Sequence, residues 1–177
     1  MINSLLKLKN DIISEASQDV VREIDAMVEY AALKAFASKS KIIYSAAFLT
    51  NEGRNNLKDW WESNVRDPIL PKLFAHHLTI KFKPSYDEVI ALDIGKDVLL
   101  EVIGYISNDD LQAVVISSEV STSNEVPHIT VSTNEGVSPA KSNDMLRDGF
   151  IEVKGPNLKA RIGYWNGKEA IYEYPED

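Results

Sequence analysis

His77-Leu78-Thr79-Ile80-Lys81-Phe82 and His128-Ile129-Thr130-Val131-Ser132 decide how this chain is read. Each is His-x-Thr followed by a β-branched apolar residue, in a chain of 177 residues with three histidines and five threonines. In an extended strand residues i and i+2 share one face. Each stretch therefore predicts an imidazole beside a hydroxyl. Leu78, Ile80 and Phe82, and Ile129 and Val131, turn to the opposite, core-facing side. By the same alternation His76 points away from His77.

Such a pair suits phosphodiester cleavage. A base must take the proton of the attacking oxygen and an acid must protonate the leaving one. Histidine does either near neutral pH. A threonine hydroxyl beside each imidazole can donate to a non-bridging phosphate oxygen as charge builds there. A single His-x-Thr on a strand usually means nothing. Two copies of matching parity, using two of the three histidines, carry weight.

The rest of the chain reads as α+β. Leu5, Leu8, Ile12, Ala16, Val20, Ile24, Met27 and Ala31 recur every three or four residues, predicting helix over 3–37 that packs on a core. Ser14 or Ser17 could divide it by capping a second helix. Strands are expected over Ile42–Leu49, Phe74–Lys83, Val98–Ile106, Leu111–Ser117 and His128–Thr133. Shorter ones come later, at Gly149–Val153, Ala160–Trp165 and Ala170–Tyr174. Thr50-Asn51-Glu52-Gly53, Asn108-Asp109-Asp110, Gly155-Pro156-Asn157 and Asn166-Gly167 read as turns. Arg54–Val65 and Pro139–Arg147 read as helices, with at least one ring of Trp60 and Trp61 packing inward. No low-complexity linker divides the chain, so one domain is expected, 1–40 helical and 42–174 a catalytic core.

Composition narrows the chemistry. With no cysteine, disulfides, thiolate metal sites and cysteine nucleophiles are excluded. His76 and His77 lack a third ligand at metal spacing, so no metal and no cofactor is expected. The first ten residues are too polar for a secretory signal, and no apolar run could cross a bilayer. A cytoplasmic protein without membrane partners is the default. The net charge of −8 disfavours long nucleic acid. It permits a small phosphorylated ligand met by a few local cations, such as Lys81 and Lys83.

The paired motif resembles that of the two-histidine phosphoesterase superfamily. That group includes RNA 2′,3′-cyclic phosphodiesterases, tRNA-repair domains and enzymes that degrade oligonucleotide messengers. The resemblance covers roughly residues 42–174 and implies a compact bilobal fold with both motifs on adjacent central strands. It implies His77, Thr79, His128 and Thr130 as catalytic residues. The layout looks most like phage anti-CBASS phosphodiesterases, which cleave 3′–5′ bonds of cyclic di- and trinucleotides of bacterial antiphage defence. Tyr44 matches their upstream tyrosine. For their late tryptophan and glutamate, Trp165 is available, while Glu152 and Glu169 compete. The helical N-terminal segment departs from that group. The alternatives are an RNA-end 2′,3′-cyclic phosphodiesterase and a protein that sequesters a nucleotide without cutting it.

Overall fold

The computed structural model describes residues 18–37 and 42–174. The chain divides into two units, one of residues 1–41 with 175–177 and one of 42–174. In the first, α1 spans Gln18–Ala37. Of its apolar stripe, Ile24 is half-buried and Val20 and Met27 are exposed. Leu5, Leu8, Ile12, Ala16, Ser14 and Ser17 lie outside the described residues. No helix among the described residues is long and apolar enough to cross a membrane.

The second unit is built on an antiparallel sheet. Its main strands are β1 (Tyr44–Leu49), β2 (Lys72–Leu73), β3 (His77–Phe82), β4 (Asp97–Ser107), β5 (Leu111–Ser117), β6 (His128–Thr133) and β8 (Asn157–Trp165). They run in the order β2-β6-β5-β4-β8-β1-β3. The two-residue strands β7 (Ile151–Glu152) and β9 (Ala170–Ile171) pair with β4 and β8. This is the α+β architecture that the strand and helix periods predict.

The two motif strands are not ladder neighbours. β3 ends one side of the path and β6 lies next to last on the other. Only Phe74, Ala75 and His76 separate β2 from β3, so the chain steps across and brings the two sides together. Backbone bonds hold the step: Phe74 N donates to Val131 O at 2.8 Å and Ala75 N to Thr130 O at 3.0 Å. The predicted strand Phe74–Lys83 is broken there because Ala75 adopts φ 43°, outside the extended region.

Behind the motifs lies one core. Leu78 from β3 and Ile129 and Val131 from β6 pack with Val114, Ile116, Leu158 and Ala160 against Leu57 and Trp61 of α2 (Asn51–Asn64). A second core, on the other face of β5, joins Leu111, Ala113 and Val115 to Leu146 of α4 (Ser142–Arg147). Burial on both faces explains the apolar run Ala113–Ile116 of β5. The tryptophan pair divides as expected for packing: Trp61 is buried and Trp60 half-buried against Tyr105.

Several local readings change. Thr50-Asn51-Glu52-Gly53 is no turn; Thr50 caps α2, its hydroxyl accepting from Gly53 N at 3.1 Å. Gly53, in the first turn, is glycine because a Cβ there would stand 2.3 Å from Lys159 O. The short helix α3 (Tyr86–Ile90) goes unpredicted although Ser85 and Glu88 form a capping box, a signal present in the sequence. The Asn108–Asp110 turn holds, with Asn108 Oδ1 accepting from the amides of Asp110 and Leu111. The strand predicted at Gly149–Val153 shrinks to Ile151–Glu152, and Ala170–Tyr174 to Ala170–Ile171.

Candidate active site

A cleft of about 620 Å³ opens where the two sides of the sheet meet. His77, Thr79, His128, Thr130, Tyr44 and Trp165 all line it. Strand alternation delivers the first four: Leu78, Ile80, Ile129 and Val131 are buried, while His77 and Thr79, and His128 and Thr130, face the cleft.

Both motif strands carry a bulge at the same place. Opposite β1, Ser45 pairs with Lys81 and Ala46 with Thr79, leaving Ile80 as the extra residue. Opposite β5, Gln112 pairs with Ser132 and Ala113 with Thr130, leaving Val131 extra. An extra residue bends a strand and re-aims the side chains beyond it. Phe82, expected in the core, is instead 61% exposed and borders the cleft. Lys81, expected near the phosphate, turns away and pairs with Glu88. Lys83 lies over the ring of Phe82 and is not among the cleft-lining residues.

The two imidazoles have different partners. His128 Nδ1 lies 2.7 Å from Val126 O. A carbonyl only accepts, so His128 donates from Nδ1 and keeps Nε2 free. Burial pushes its pKa down, and the Val126 carbonyl, which favours the cation, pulls it back up. His77 Nδ1 lies 3.1 Å from Nδ1 of His76. Burial, with the neighbouring His76 and His128, pushes the His77 pKa down to about 4. His77 is therefore neutral at physiological pH, with its ring stacked on Tyr44 at 4.8 Å between centroids.

The hydroxyls differ as well. Ser142 Oγ donates to Pro139 O at 2.8 Å, which commits its only proton. With that proton committed, Thr130 Oγ1 donates to Ser142 Oγ at 2.8 Å or to the same Pro139 carbonyl at 3.5 Å. Thr130 thus turns lone pairs, not a proton, to the cleft. Thr79 has no hydrogen-bond partner for its hydroxyl among the described residues, and it keeps a free donor.

Tyr44 sits between Phe82 and Trp165 across the ladders, with its ring nearly parallel to Trp165 at 6.2 Å. Burial raises its phenol to about 12, so it stays a neutral donor. Glu152 and Glu169 do not line the cleft: Glu152 is exposed on β7 beside Gly104, and Glu169 is exposed in the turn that Asn166 caps.

The structure adds residues that strand alternation misses. His76 lines the cleft beside His77 rather than opposing it, because the turn at Ala75 precedes it. Arg54 of α2 reaches the cleft, donating to Phe74 O at 3.3 Å, and has no carboxylate partner among the described residues. Asn124 and Asn143 come from loop and helix segments with no motif to mark them. No group of three or more His, Cys, Asp or Glu side chains among the described residues could hold a metal ion.

Residues 87–168 match the model of the fungal tRNA ligase phosphodiesterase domain, a stretch that holds His128 and Thr130 but not His77 or Thr79. The matched stretch is less than half of the chain. A solved structure described as a fungal RNA kinase aligns with a TM-score of 0.47 at 12% identity. That alignment covers 94% of this chain and 53% of the other, so this chain spans about half its length. No curated protein matches.

Proposed function

We propose that this chain is a metal-independent phosphodiesterase that opens nucleoside 2′,3′-cyclic phosphates, with an RNA end as its substrate. One observation carries the reading: two imidazoles share one cleft, each with Nδ1 engaged, in environments that divide their roles. His77, held neutral, takes a proton from water at Nε2 as the water oxygen bonds to phosphorus. His128, whose Val126 carbonyl favours the cation, gives its Nε2 proton to the departing ribose oxygen. The phosphorus–ribose oxygen bond breaks and a phosphomonoester is left. Thr79 donates to a non-bridging oxygen, Arg54 offsets phosphate charge, and Tyr44 and Trp165 offer faces for a base.

A second reading keeps the same chemistry on a cyclic oligonucleotide, where a ribose 2′-hydroxyl replaces water. The net charge of −8, and a cleft lined by one arginine and no lysine among the described residues, favour such a compact substrate over a long strand.

The test is incubation in excess EDTA with 2′,3′-cyclic mononucleotides, an oligoribonucleotide with a 2′,3′-cyclic end, and cyclic dinucleotides, with products read by mass. Conversion of the cyclic ends to monoesters is expected. Faster cutting of cyclic dinucleotides would favour the second reading. Binding without turnover would leave only sequestration, and activity restored by zinc, magnesium or manganese would sink the metal-free mechanism.

A further inference from the structure

We propose that His76 is a positioning residue that sets the tautomer of His77, accepting at its own Nδ1 the proton that His77 carries on Nδ1. The inference rests on the phosphodiesterase reading only for its consequence in turnover; the tautomer itself is a property of the free protein.

The geometry is specific. Two Nδ1 atoms at 3.1 Å can share only one proton, so the two neutral rings must be opposite tautomers. Free imidazole prefers its proton on Nε2, the form that would turn a donor toward the cleft and leave no lone pair there for a base. An acceptor at Nδ1 reverses that preference. On His128 the acceptor is the Val126 carbonyl. On His77 no carbonyl takes that place, and His76 does.

His76 is held for this task. Its ring meets Phe48 edge-on at 5.4 Å and Trp165 at 6.1 Å, nearly perpendicular to both. Its carbonyl accepts from Leu49 N at 2.9 Å, tying the backbone to β1. Burial, and after it the nearby Arg54, disfavours the cation on His76, which keeps the ring neutral and able to accept at Nδ1 in its Nε2–H form. The other titratable groups against the pair are His128, which acts on His77, and Tyr44, stacked on it as a neutral phenol. The left-handed turn at Ala75 places the two consecutive imidazoles in one cleft, where regular alternation would separate them. A strained non-glycine backbone at a cleft is the kind of feature a fold keeps where side chains must be aimed.

The experiment uses the full chain with 15N-labelled histidine rings. At neutral pH His77 is expected to show a protonated Nδ1 and an unprotonated Nε2. In His76→Phe, which keeps the edge-on ring contacts but removes the nitrogen, His77 should revert to the Nε2–H form. Its kcat should fall by about tenfold or more with little change in KM, the scale of impaired base catalysis. The limb of the pH–rate profile due to His77 should move with it. His76→Asn, which restores an acceptor oxygen near the Nδ1 position, should recover part of both. A wild-type His77 protonated on Nε2, or a His76→Phe variant with unchanged tautomer and kcat, overturns the proposal. If no substrate in the panel turns over, the ring spectra still decide the tautomer, so the two failures are distinguishable.

Discussion

β3 and β6 carry the same His-x-Thr pattern, the same bulge after the threonine and the same buried neighbours, yet they are wired differently. On β6 both polar side chains are tied to fixed acceptors: His128 to the Val126 carbonyl, Thr130 to Ser142 and through it to Pro139. On β3 the hydroxyl of Thr79 is free and His77 meets another imidazole. Burial pushes both imidazoles down, but the Val126 carbonyl opposes it on His128, whereas His76 and His128 add to it on His77. On the proposed mechanism this difference divides the repeated motif into an acid half and a base half, with the free hydroxyl on the base half.

The largest effect that could break this division comes from removing the imidazoles. His77→Ala and His128→Ala should each lower kcat by at least ~10²-fold on a nucleotide substrate. With a nitrophenyl phosphodiester, whose leaving group needs no proton, His128→Ala should recover most of its rate and His77→Ala should not. Equal recovery would mean that neither half is committed to one role.

Acid sensitivity comes next. Folding holds His77 at about 4 against an ordinary 6.5, so the unfolded chain takes up this proton first as the pH falls. The stability tied to neutral His77 is complete above pH 6.5 and is lost on the way to about pH 4, by up to about 3 kcal/mol. Urea denaturation of the wild type and His77→Leu at pH 7 and pH 4.5 should show a smaller pH dependence in the variant. Parallel curves would remove the case for a neutral, buried base.

The smallest effect separates the hydroxyls. Thr79→Val should lower kcat by about tenfold or more through the loss of a charge-assisted hydrogen bond. Thr130→Val should cost only a few-fold in rate but about 1 kcal/mol in stability, because buried Ser142 loses its partner. Equal losses of rate would show that Thr130 swings its proton to the phosphate on binding.

Alternation along a strand is a local rule, so the sequence by itself identified His77, Thr79, His128 and Thr130 as cleft-facing and Leu78, Ile129 and Val131 as core. The apolar run of β5 and the Asn108–Asp110 turn were legible for the same reason: neighbours along the chain determine them. The rule failed where the backbone stopped being regular. His76 shares the cleft because Ala75 turns left-handed, and that conformation is held by amide bonds from Phe74 and Ala75 to β6, whose acceptors lie more than fifty positions away in sequence. The bulges at Ile80 and Val131 likewise arise from pairing with β1 and β5, and the first of them moved Lys81 and Phe82 from their expected places. Arg54 arrives on a helix whose start is fixed by Thr50 and by the close approach of Gly53 to Lys159. Glu152 and Glu169 were candidates by type and by being late in the chain, and only the strand partners could show that they lie outside the cleft. The motif was local information. The Nδ1 partners of its imidazoles, His76 and Val126, are local too; what brings the two halves into one cleft is pairing between residues far apart in the chain, which no spacing records.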